Sequence, residues 1–245
     1  MFLEVSMNEP MNAPMLPPPS GAAEWVSVWR DALTRPSEQT FARIALSPNA
    51  KLTTALLWVF LGSLVNFFLA SLVQGRLMSQ MMQNSDFGGQ GFPGGAAGGG
   101  LMTAICGAPI GALVSVVLFA AVTGVVQLLA KMFGGRGTYD QLAYTIAAIV
   151  TPFYFVSGLL TLLSAIPFAG WCFGIVGLFA AIYVLVLEVM AVKGVNQFGW
   201  GQAVASLLLP VIAIACCISV VVAGLLSVLA PQFMDTFNSI MTPVP

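Results

Sequence analysis

Five long apolar runs alternate with short polar or glycine-rich pieces along this chain, at about residues 52–73, 101–129, 139–163, 171–192 and 203–229. At about 1.5 Å of helical rise per residue, each is long enough to cross a hydrocarbon core about 30 Å thick. The pattern predicts an all-α, polytopic membrane protein with five transmembrane helices. The stretch from Thr138 to Ala203 shows it most plainly. Thr138-Tyr139-Asp140-Gln141 reads as a capped helix start, and an apolar span containing Pro152 follows. The chain then breaks at Ala165-Ile166-Pro167-Phe168-Ala169-Gly170. A second span carries the lone acid Glu188 and ends in a polar turn, Lys193 to Gly201.

The first 21 residues include Pro10, Pro14, Pro17, Pro18 and Pro19, which predicts a disordered tail. Met7 is an alternative start, and no basic segment followed by an apolar run and a cleavage site marks a secretory signal. From 22 to 47 the pattern becomes amphipathic. Trp25, Val28, Trp29, Ala32 and Leu33 share one helical face, with Glu24, Arg30 and Asp31 elsewhere. Beyond Pro36, Phe41, Ile44 and Ala45 form a second such face, with Glu38 and Arg43 off it. Two short amphipathic helices are expected, either covering the ends of the spans or, through Trp25 and Trp29, docking a membrane surface or a partner. Ser47-Pro48 reads as the cap and first residue of span one, opening a five-span domain over 48–229.

Arg76 to Gly100 is expected to be a flexible, glycine-crowded loop. Its formal G-x-G-x-x-G, Gly89 to Gly94, follows no strand and opens no β-α-β unit, so it is no dinucleotide site. Gly107 and Gly111 in span two form a small-residue pair suited to close helix packing, and Pro109 lies between them. Pro210 sits within the last span, and 230–245 is polar enough to be a short outer tail.

Composition agrees: 58% of residues are hydrophobic, 7% charged, and the mean hydropathy is +0.94. Soluble domains carry about 25% charged residues. A net charge of −1 gives no basic field for nucleic acid, and the absence of histidine removes the commonest general base and metal ligand. Cys106, Cys172, Cys216 and Cys217 have no C-x-x-C spacing and read as small buried hydrophobes, with a Cys106–Cys172 bridge as the minor alternative.

Charge also sets the expected orientation. Arg30, Arg35, Arg43 and Lys51 precede span one, Lys131 and Arg136 lie between spans two and three, and Lys193 between four and five. Five crossings put these seven on one side and leave Arg76 alone on the other. By the positive-inside rule the N-terminus is cytoplasmic and the C-terminus outside. Tyr139, Trp171 and Trp200 fall at the expected boundaries, as interfacial aromatics do, whereas Trp58 lies deeper.

Glu188 is the one ionisable residue well inside a span, four residues before Val192. Intramembrane acids default to a functional hypothesis. It is either structural, satisfied by a hydrogen bond or by Lys131, Arg136 or Lys193, or functional in handling protons, cations or a lipid headgroup. Asn66, Thr123, Gln127, Ser157 and Thr161 are expected to bond between helices. No catalytic constellation, metal cluster or phosphate loop is present in the sequence, so an enzyme is not expected and neither is a cofactor.

The arrangement resembles the Yip1 domain family in its N-terminal segment, five spans and outward C-terminus. Pro36, Phe41 and Pro48 ahead of span one resemble that family's entry segment. Tyr139 and Pro152, the Pro167…Gly170 break, and Ala203 with Pro210 resemble its core, over roughly Arg35 to Leu229. The Asp-Leu-Tyr-Gly-Pro motif of eukaryotic members is absent from the sequence. The resemblance therefore implies a prokaryotic member in the inner or plasma membrane, with no GTPase partner carried over. It implies a membrane-organising or adaptor protein whose partners are the bilayer, other membrane proteins or its own copies. A small transporter or channel built on Glu188 and proline-broken helices is the alternative.

Overall fold

The computed structural model describes residues 21–83, 96–164, 166 and 169–241. Seven helices follow in order: α1 (Ala22–Thr34), α2 (Glu38–Ala45), α3 (Leu52–Gln83), α4 (Ala96–Met132), α5 (Tyr139–Leu163), α6 (Ala169–Asn196) and α7 (Trp200–Met241). Among the described residues there is no strand. Five segments, 52–73, 104–132, 139–163, 172–196 and 200–224, are long and apolar enough to cross a membrane.

Local chemistry explains most of the boundaries. Thr138 caps α5 by accepting from the Gln141 N–H, while the Gln141 side chain accepts from the Thr138 N–H. This reciprocal box satisfies two helix-end donors that would otherwise be orphaned. Ser37 caps α2 in the same sense, accepting from the Thr40 N–H at 3.0 Å.

Ser47-Pro48, by contrast, does not open α3. The Ala50 N–H donates to the Ser47 carbonyl at 3.0 Å, so Pro48 holds the second position of a β-turn and the helix begins only at Leu52. Proline's fixed φ suits that turn position as well as it suits a first helical turn. A second correction concerns the expected loop from Arg76. The helix continues to Gln83, because 76–83 holds Leu, Met, Gln and Arg and neither Gly nor Pro. Likewise α4 opens at Ala96, and α7 continues to Met241 through a stretch, 232–241, free of Gly and Pro. Gly89 to Gly94, the proline-rich tail and Pro167 lie outside the described residues.

At the centre stands α5, packed on α3, α4, α6 and both short helices. It runs parallel to α3, and small residues let the two approach closely. A Cβ on Gly62 would sit 3.2 Å from Thr151, and one on Gly158 would sit 3.1 Å from Leu69. Of the expected pair in span two, Gly111 does face a neighbour, the Phe67 ring, while Gly107 is exposed. The large buried side chains gather toward one end of the bundle. Trp58, Tyr144, Phe41, Leu142, Ile149, Leu187 and Val192 are fully buried there, near the starts of α3 and α5 and the end of α6.

The cysteines correct the sequence reading. All four are free thiols and all are exposed. In a bundle this apolar the outward surface is as hydrophobic as the interior, so an apolar run does not tell a protein-facing position from a lipid-facing one.

Candidate functional site

Three arrangements of side chains sit at or near the packed end of the bundle. In the first, α1 lays its aromatic face on the spans. Trp25 and Trp29 meet Trp58 edge-on at centroid separations of 5.9 and 5.5 Å, and Trp58 in turn lies 4.8 Å from the Tyr144 ring. Trp29 also reaches Phe155 of α5, and the Tyr183 hydroxyl of α6 donates to the Leu33 carbonyl at 2.5 Å. Edge-to-face geometry places the positive rim of one ring over the negative face of another. The expected apolar face of α1 is thus occupied by the protein's own helices. Charged side chains point away: Arg30 and Arg43 are about two-thirds exposed and share Asp31.

Next, α2 is clamped to the end of α6. A Cβ on Gly194 would fall 2.8 Å from the Glu38 carbonyl oxygen and 3.1 Å from the Phe41 Cβ, so the two backbones touch. Beside this crossing Lys193 pairs with Glu38 and lies 4.2 Å above the Trp200 ring.

The third is a knot of loops that sequence reasoning missed. Gln127 of α4 donates to the Gly137 carbonyl at 2.6 Å and faces the fully buried Asn196. The Asn196 carbonyl accepts from the Arg136 N–H at 3.1 Å, and Gln202 donates to the Phe133 carbonyl. Gly135 and Gly137 pass so close to Val195 and Asn196 that a Cβ on either would come within 2.6 Å of them. The signal was present in part, since Gln127 stood out as a polar residue in a span. Asn196 was hidden in a turn, where asparagine is ordinary.

Glu188 lies elsewhere. Because α6 continues to Asn196, the acid sits eight residues, about 12 Å, inside the helix rather than the shallower depth expected. It lines a cavity of about 290 Å³ between α4, α5, α6 and α7, with Ser115, Thr123 and Tyr154 as the other polar residues. Of the basic residues expected as partners, Lys193 is engaged with Glu38, and among the described residues no hydrogen bond or ion pair reaches Glu188. Asn66, another polar residue of the spans, bonds to Ser157 and to the Tyr154 carbonyl across α3 and α5.

Compared with known families, residues 30–235 match the Yip1 domain. The chain belongs to the Yip1 domain family. Searches of curated proteins and of solved structures returned no match.

The Yip1 domain here thus starts within α1, just after Trp29, and ends within α7, taking in every span and the contact of α2 with Gly194 of α6. The family-like positions fall at its joints. Pro36 lies between α1 and α2, Phe41 is fully buried beneath the α6 crossing, and Pro48 makes the turn into α3. Tyr139 opens α5 and its hydroxyl donates to the Ala120 carbonyl of α4 at 2.9 Å. Pro152 lies inside α5, Gly170 in the first turn of α6, Ala203 is fully buried, and Pro210 lies inside α7.

Proposed function

We propose that this Yip1-domain protein is a non-enzymatic membrane-organising or adaptor protein of a prokaryotic inner or plasma membrane. Its N-terminal helices are cytoplasmic and its C-terminus lies outside. The observation that carries this reading is the seating of α1 and α2. Their apolar faces are spent on Trp58, Phe155 and Gly194, so the face left outward is charged and held rigidly on the bundle. A rigid charged surface beside the bilayer suits recognition of another protein, because little ordering entropy remains to be lost on binding. Seven of the eight basic residues then lie on the cytoplasmic side.

Site-specific photocrosslinking from exposed Gln39 in living cells tests the reading. A discrete protein adduct that disappears with Arg30→Glu/Arg43→Glu is expected. Adducts to lipid alone would defeat the proposal.

The cavity at Glu188 favours the transporter reading as a second possibility, since an acid without a partner inside a span is costly unless used. Proton or cation flux in proteoliposomes under a pH gradient, lost in Glu188→Gln, would support it over the adaptor reading. No flux from either protein is expected.

A further inference from the structure

The cavity beside Glu188 combines features seldom met together. Its walls are mostly aliphatic and aromatic, including Phe119, Val126, Ile146 and Leu207. Three hydroxyl residues and one carboxylate interrupt them. Its outer wall is formed by Leu118 and Val122 of α4, which are exposed on the bundle surface, so the space lies next to the lipid. The volume, about 290 Å³, is at the lower edge of the range in which small organic ligands bind. What the site lacks is a cation. Lys193, five residues from Glu188 along α6, is held by Glu38 and Trp200 instead.

A carboxylate removed from water stays ionised only beside a paired charge. A bare metal ion would be a poor partner here. Hard cations such as calcium want six or more oxygens, and magnesium a near-ideal octahedron. Four oxygen-bearing side chains among apolar walls do not supply that. An ammonium group on an apolar body satisfies both halves of the lining: charge and N–H donors for Glu188, Thr123 and Ser115, hydrocarbon for the rest.

We propose that this cavity is a binding site for hydrophobic primary amines that enter from the bilayer past Leu118 and Val122 of α4, with Glu188 as the counter-ion. The site stands apart from the outward face of α1 and α2, so it does not depend on the adaptor reading and its failure would leave that reading untouched.

The test compares 4-phenylbutylamine with 4-phenylbutanol, which share an apolar body and differ in charge. Each is radiolabelled and measured by equilibrium dialysis against the full chain in nanodiscs, with empty nanodiscs subtracted. The wild type is expected to bind the amine at least about tenfold more tightly than the alcohol. Glu188→Gln should erase that preference while leaving alcohol binding in place. Val150→Phe, which fills the cavity from α5 and keeps the acid, should abolish saturable binding of both. Size-exclusion profiles check that each variant is folded, and should Glu188→Gln not fold, the Val150→Phe comparison decides. Absence of saturable amine binding by the wild type, a preference that survives in Glu188→Gln, or binding unchanged by Val150→Phe would each overturn the proposal.

Discussion

Phe41 of α2 lies against Gly194 of α6 so closely that a single added carbon on the glycine would press into the Glu38 carbonyl at 2.8 Å. That contact turns two short helices, which alone would be marginal in water, into a fixed part of the bundle. It also makes a sharp test. In an unobstructed helix Gly→Ala stabilises by about 1 kcal/mol through propensity. Here Gly194→Ala is expected to destabilise instead, by about 1–3 kcal/mol, as overpacking does. Thermal unfolding in detergent micelles reads the sign, and a raised Tm would show that α2 does not sit on α6.

Trp58 is fully buried beneath Trp25 and Trp29. Trp58→Ala is expected to cost about 3–5 kcal/mol, as large-to-small core changes do. Because α1 would lose its seat, protease cleavage between α1 and α2 near Arg35 should become fast. Trp25→Ala, which removes a half-buried ring, should have a smaller effect on both. Equal effects from the two substitutions would contradict the packing described.

Gln127 and Asn196 bind the loops at the packed end of the bundle into one unit. A double-mutant cycle with Gln127→Leu and Asn196→Leu should give a coupling of about 0.6–1.7 kcal/mol, between the average and the largest value for interhelical hydrogen bonds in membranes. Additive effects would mean the pair does not act together. Gly137→Ala should be as damaging as either, because Val195 leaves no space for its methyl group.

The number and type of the spans were legible because periodicity and length in apolar runs are governed by bilayer thickness, which one sequence reveals. The Thr138–Gln141 cap was legible for a similar reason, since its chemistry is local. Helix ends away from such signals were not. Leu77 to Gln83 is polar enough to read as a loop, yet it contains nothing that stops a helix. Which face of an apolar helix meets protein also escaped sequence reading. Cys106 and Gly107 are exposed while Ala104 and Ala108 are buried, and all four belong to one apolar run. The cavity at Glu188 depends on four helices meeting, and only the acid itself announced it.

The most direct measurement is side-selective labelling of single cysteines in intact cells. The four native cysteines, all exposed on the apolar surface, are first replaced by alanine, changes expected to stay within about 0.5 kcal/mol each. Single cysteines are then placed at Leu46, Phe133 and Ser164, all exposed. An impermeant maleimide should label Ser164→Cys in intact cells, and should label Leu46→Cys and Phe133→Cys only after permeabilisation. Labelling of Leu46→Cys or Phe133→Cys in intact cells would contradict five crossings with the α1–α2 platform on the cytoplasmic side.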